Sequence, residues 1–129
     1  EEAVEHFRPL PEQPGIPDYI LDHIARHSLR RGDDGWTWKF DPAAFTRPRI
    51  DMAERLAAAR CRLALIYGER SLLLTPDTAA YMSELMGHRA PVIPIPGAHH
   101  HLLLDHPLAL VVALRTLLLD WEYSAPRPG

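Results

Sequence analysis

From residue 50 onward the sequence switches repeatedly between two hydrophobic periodicities, and no other feature constrains the fold as strongly. Residues 50–60 carry Met52, Leu56 and Ala59 at helical spacing. Residues 63–67 are five apolar residues in a row ended by Gly68, the pattern of a short strand buried on both faces. Thr75-Pro76 then supplies a helix cap followed by proline at the first helical position. The spacing predicts a helix to Met86, with Ala79, Met82, Leu85 and Met86 inward and Gly87 at its end. Residues 91–95 form a second apolar strand, 97–106 a loop, and Pro107 opens a last helix over 108–121. Helix, strand, helix, strand, helix is the order of an α/β layer, with parallel strands near 62–67 and 91–95 and helices flanking them. Two short strands do not make a stable sheet alone, so this half reads as one end of a larger sheet.

The first 49 residues are less regular. Pro9, Pro11, Pro14, Pro17 and Gly15 punctuate residues 1–17 and predict an irregular loop, because each proline removes a donor and biases its predecessor away from helix. Ile20, Leu21 and Ile24 predict a helix over 18–30, with Arg26, Arg30 and Arg31 as charges at its end and Gly32 as its stop. Asp33-Asp34-Gly35 is a turn signal. Trp36, Trp38 and Phe40 alternate with Thr37 and Lys39, an extended period-2 pattern that offers one further edge to the sheet. A second loop covers 46–49, and the Pro/Gly-rich 125–129 read as a flexible tail.

Composition narrows the partners. The chain has 129 residues, enough for one domain, with 14 Lys plus Arg against 17 Asp plus Glu and a net charge of −3. That balance excludes a broad basic surface for nucleic acid. Eight histidines are unusual, and protonating all of them would carry the charge to +5. The single cysteine, Cys61, forms no intramolecular disulfide and reads as a small buried apolar residue at the start of the first strand. No apolar run approaches the roughly 20 residues of a membrane helix. A lone cysteine and the lack of a signal segment lean towards a cytoplasmic location. The chain begins at Glu1 rather than methionine, which suggests a start in mid-protein.

In an open parallel sheet, ligands and catalytic groups gather beyond the carboxyl ends of the strands. Gly68-Glu69-Arg70-Ser71 follows the first strand and Gly97-Ala98-His99-His100-His101 the second. A single helical crossover between them places the two loops side by side. The segment 62–121 resembles the carboxyl-terminal part of the α/β-hydrolase fold family. The matching residues are Leu65-Ile66-Tyr67-Gly68-Glu69, Thr75-Pro76, Pro94-Ile95-Pro96-Gly97-Ala98-His99-His100 and Leu104-Asp105-His106-Pro107. The resemblance implies a partial α/β-hydrolase fold, with the end of a cap and its return linker over 1–49 and core over 50–124. It places the triad histidine, a general base, at His100.

Two departures accompany the resemblance. The family's nucleophile sits in a Gly-x-Ser-x-Gly elbow, and none of Ser28, Ser71, Ser83 or Ser124 has those neighbours. The nucleophile is therefore expected upstream. The family's aspartate, three residues past the strand-end glycine, is replaced by Ser71, which leaves Glu69 as the nearest candidate acid. The function implied is hydrolysis of a small ester or related bond by a longer protein, with this chain inactive alone. An upstream aspartate nucleophile would instead give dehalogenase or epoxide-hydrolase chemistry, and the missing acid admits a non-catalytic binding relative.

His99, His101 and Trp36 are candidate substrate-lining residues. For the three aromatics Trp36, Trp38 and Phe40, packing between cap and core is the favoured alternative. A metal at His99 and His101, or at His23 and His27 four apart, lacks a Cys or Asp partner pattern, so no metal and no cofactor is expected. Asp105 either orders the histidine loop or caps the last helix. The expected partner is a small-molecule substrate, with no nucleic acid and no membrane; oligomeric state is left open.

Overall fold

The computed structural model describes residues 2–46 and 51–124. Two two-stranded sheets organise them, one antiparallel and one parallel. The chain opens with a helical turn, α1 (Glu2–Glu5), inside the segment expected to be irregular. Its residues all precede Pro9, so no backbone donor is missing. Phe7 follows, buried, with its ring 5.1 Å from that of Trp38.

Helix α2 (Asp18–Ser28) begins after Pro17, carries Asp18 in its first turn and buries Ala25. Arg26 pairs with Asp22 at 2.8 Å, one turn earlier. The helix stops at Ser28 because Leu29 turns extended, with φ −102° and ψ 147°. Strand β1 (Leu29–Gly32) then pairs antiparallel with β2 (Gly35–Trp38), Arg30 facing Thr37 and Arg31 facing Trp36. The expected end of the helix is thus a strand, and Arg30 and Arg31 belong to the hairpin. The aromatic strand likewise joins its sequence neighbour instead of the parallel sheet. Closing a two-residue turn at Asp33-Asp34 costs far less entropy than a long-range pairing.

Asp41 caps a 3-10 turn, Pro42–Phe45, by accepting from the Ala43 amide at 2.9 Å. Of the expected loop over 46–49 only Thr46 is described, and Ile50 and the tail over 125–129 also lie outside the described residues. Helix α3 (Met52–Ala58) is capped by Asp51, which accepts from the Glu54 amide. Its inward stripe is Ala53, Leu56 and Ala59. Met52, expected inside, sits one position off that stripe and is exposed.

Strand β3 (Leu65–Gly68), helix α4 (Pro76–Leu85) and strand β4 (Val92–Ile95) form one crossover unit. The strands run parallel in the register Leu65–Val92 to Gly68–Ile95, as the two apolar runs predict. Thr75 caps α4 by accepting from the Thr78 amide, and Gly87, at φ +63°, ends it in the left-handed region that glycine tolerates. Ala79 and Met86 are buried, and Met82 and Leu85 half-buried. Leu65, Ile66 and Tyr67 are only half-buried, less than a strand covered on both faces. Leu65 N donates to Pro91 O and Glu69 N to Ile95 O. Odd-numbered β4 residues therefore face β3, and Pro94, which has no N–H, turns to the opposite edge, where no β3 bond needs it.

The expected loop over 97–106 contains a further helical turn, α5 (Leu102–Asp105), before α6 (Pro107–Tyr123). Leu110 is the buried residue of α6, while Leu108, Val112, Leu118 and Leu119 are exposed. Arg62 ties its far end to the start of the sheet by donating to the Trp121 carbonyl at 2.6 Å. Cys61 is exposed rather than buried. It precedes β3 and lines, with Arg60 and Arg62, a hollow of about 480 Å3 at the amino-terminal end of the strands. No helix among the described residues is long and apolar enough to cross a membrane.

Candidate active site

The loops after β3 and β4 cross each other at the carboxyl ends of the strands. Gly68 makes the crossing possible. A Cβ at that position would fall on the carbonyl oxygens of His99 and Ala98, so the histidine loop passes over a residue that has no side chain. Three bonds then lace the loops together. The Arg70 amide donates to the Ala98 carbonyl at 2.8 Å, the Glu69 amide to the Ile95 carbonyl at 3.1 Å, and the Gly97 amide to Glu69 Oε2 at 2.9 Å.

His100 lies at the crossing, half-buried. The group facing its Nδ1 is the Ser71 hydroxyl, at 3.0 Å. Ser71 is buried, and its oxygen also accepts from the amides of Leu73 and Leu74 at 3.3 and 3.0 Å. Glu69, the candidate acid, is exposed and spends its carboxylate on the loop amide of Gly97. The structure thus joins Ser71 to His100 and uses Glu69 as a tie between the two loops.

The neighbouring histidines are held by other means. Asp105 has its side chain 2% exposed and accepts from the His99 amide at 2.7 Å and from His99 Nδ1 at 3.0 Å. His106 Nδ1 approaches the same oxygen at 3.3 Å. Burial alone would push the Asp105 carboxyl up. The amide and ring of His99, helped by His106, outweigh it and hold the group below its ordinary 3.8. Of the two roles read for Asp105, it orders the histidine loop, and α6 has no side-chain cap. His101 is pinned through its backbone. Its amide donates to Gln13 Oε1 at 2.7 Å and its carbonyl accepts from Gln13 Nε2 at 3.5 Å.

A hollow of about 250 Å3 opens beside His100, lined by His99, Arg70 and Leu72 and, across it, by Pro11, Gln13 and Pro14. His99 and His100 thus border the same hollow. His101 stands behind it with Nε2 buried and unpartnered. Trp36 is 60% exposed and borders a separate hollow with Glu2, Ala3 and His6, away from His100. Trp38 instead packs between Phe7 and Phe40, contacts that lie within the first 49 residues and do not reach the segment expected as core. His23 and His27 stack at 4.2 Å on α2. Gln13 and Leu72 are not among the residues that the sequence singles out, and Arg70 stands out there only as part of the strand-end loop. Gln13 acts across 88 residues and carries no local signal, whereas Arg70 and Leu72 sit in the strand-end loop whose importance the topology already announces.

No family model matches the chain, and no curated protein matches it by sequence. Solved structures do match it. The crystal structure of E-2-(acetamidomethylene)succinate hydrolase aligns over 81% of this chain at 23% identity and a TM-score of 0.70, and 40% of that chain is covered. An esterase of M. tuberculosis aligns over 81% at 26% identity and a TM-score of 0.63, with 37% of that chain covered. A thioesterase domain from the curacin biosynthetic pathway gives 24% identity and a TM-score of 0.58 over 81% of this chain and 37% of that one. The chain spans well under half the length of each. The likeness shows that the chain has the fold of part of an α/β-hydrolase.

Proposed function

We propose that this chain is the carboxyl-terminal part of a hydrolase acting on a small ester or a related bond. His100 is its general base, and the nucleophile is supplied by chain preceding Glu1. The observation that carries this reading is the position of His100. It stands on the loop after β4, at the carboxyl ends of two parallel strands, beside a hollow of about 250 Å3 that suits a small substrate. The comparisons support it, since two of the aligned proteins are named as an esterase and a thioesterase domain. Histidine suits the task because its proton affinity is matched to neutral pH. His99 and Arg70 line the substrate side of the hollow, and Glu69 keeps the two loops in register. In the complete protein, His100→Ala should lower turnover of p-nitrophenyl acetate by roughly 10²–10⁴-fold while circular dichroism stays unchanged. Retained turnover would sink the assignment.

A second reading is favoured by one specific contact. Ser71, not a carboxylate, faces His100 Nδ1, so a non-catalytic relative that keeps the fold for binding is the alternative. A complete protein with an intact serine elbow that ignores a fluorophosphonate probe would select it. An upstream aspartate elbow would redirect the first reading to dehalogenase or epoxide-hydrolase chemistry.

A further inference from the structure

We infer that Ser71 donates its hydroxyl hydrogen to His100 Nδ1 and holds the neutral ring as its Nε2–H tautomer, opposite to the neighbouring His99. The argument is one of valence. A serine hydroxyl has one hydrogen to give and two lone pairs to receive with. The amides of Leu73 and Leu74 both point at the Ser71 oxygen, at 3.3 and 3.0 Å, and an amide can only donate. The lone pairs are therefore taken, and the remaining contact, 3.0 Å to His100 Nδ1, uses the hydroxyl hydrogen. Nδ1 is then the acceptor, and the ring proton of neutral His100 sits on Nε2. Ser71 is buried, 6% exposed, so solvent does not compete for this hydrogen.

His99 shows the reverse. Its Nδ1 lies 3.0 Å from Asp105 Oδ2. Asp105 is held in its charged form and only accepts, so His99 carries its proton on Nδ1 and leaves Nε2 with a lone pair. Two adjacent rings bordering one hollow thus differ in what they offer at Nε2: His100 a donor and His99 an acceptor. This rests on the reading of His100 as the site histidine and makes it more specific. In the resting state His100 can give a hydrogen bond to a substrate carbonyl oxygen. To take a proton at Nε2 it must first carry its own on Nδ1, and that requires the Ser71 hydroxyl to turn and one of the two amides to give up its acceptor. Ser71 is thereby a positioning residue that sets the resting chemistry of His100.

Ring-nitrogen chemical shifts, read by NMR on the full protein labelled at histidine, test this directly. Loss of one signal set in His100→Gln assigns that ring. Above the titration of the ring, wild-type His100 should show a protonated Nε2 and an unprotonated Nδ1, and His99 the opposite. Ser71→Thr, which keeps the hydroxyl, should preserve the His100 pattern. Ser71→Ala should release it to a mixture, and Ser71→Asp should move the proton to Nδ1. A wild-type His100 carrying its proton on Nδ1, or a Ser71→Ala spectrum identical to wild type, would overturn the inference. The wild-type spectrum alone decides the sign, so a variant that fails to fold leaves the answer standing. The measurement involves no turnover, so its failure is distinct from that of the hydrolase reading, which His100→Ala decides.

Discussion

Two single residues govern the geometry of the site. Gly68 is required because the histidine loop crosses directly over its α-carbon, with the carbonyl oxygens of His99 and Ala98 where a methyl group would go. Those atoms are backbone, and they cannot swing aside as a side chain would. Gly68→Ala should therefore destabilise the fold by about 1–3 kcal/mol and displace the loop, which denaturant unfolding and the His100 signals would report. Asp105 is the second. It binds the His99 amide and ring from a buried position, and its pKa is lowered in the folded protein. A carboxyl with a lowered folded pKa stabilises at pH values above its ordinary 3.8. That contribution drains away as pH falls through the lower, folded value. Asp105→Asn should cost about 1–3 kcal/mol at pH 7, and the gap from wild type should shrink in acid. Urea midpoints taken at pH 7 and near pH 3 would show whether it does.

At the scale of elements, local chemistry explains most of what forms. Helix α4 has its hydroxyl cap, its first-position proline and its left-handed glycine in the expected places. Thr75→Ala should remove the bond to the Thr78 amide and lower stability by about 1 kcal/mol, seen as an earlier thermal midpoint. The two parallel strands, the cap of α4 and the loop bearing His100 were all legible from periodicity and punctuation. The end of α2 was not. Leu29, Arg30 and Arg31 have nothing in their side chains that forbids helix, and what stops them is the backbone pairing with residues 36–38. Pro94 carries a consequence that periodicity misses. It removes one of the two donors on the outer edge of β4, where Val92 keeps its own, so a further strand would pair less fully there than across β3.

For the molecule as a whole, apolar surface exceeds what the described residues can cover. Helix α6 is apolar around most of its circumference, yet Leu108 is 80% exposed and Val112 64%. A helix of that composition is ordinarily buried on every side. Among the described residues the β3 edge is equally without a neighbouring strand. The 129-residue chain by itself should therefore bind a hydrophobic dye and self-associate. Sedimentation that returned a dye-silent monomer would contradict this. Glutamate at Val112 or Leu119 should lessen the association if α6 is the surface responsible.

The sequence by itself determined the alternation of helix and strand, the caps, the parallel crossover and the placement of His100 beyond a strand end. Each of these follows from residues within a few positions of one another, where periodicity, missing donors and glycine conformations act. Only the tertiary structure decided which groups meet there. It brought Ser71 to His100 and left Glu69 bridging the loops, turned Cys61 outward, and set Gln13 against His101 across 88 residues. Such pairings depend on where packed elements place distant backbone, and a hydrogen bond records that placement without leaving any mark in the residues between.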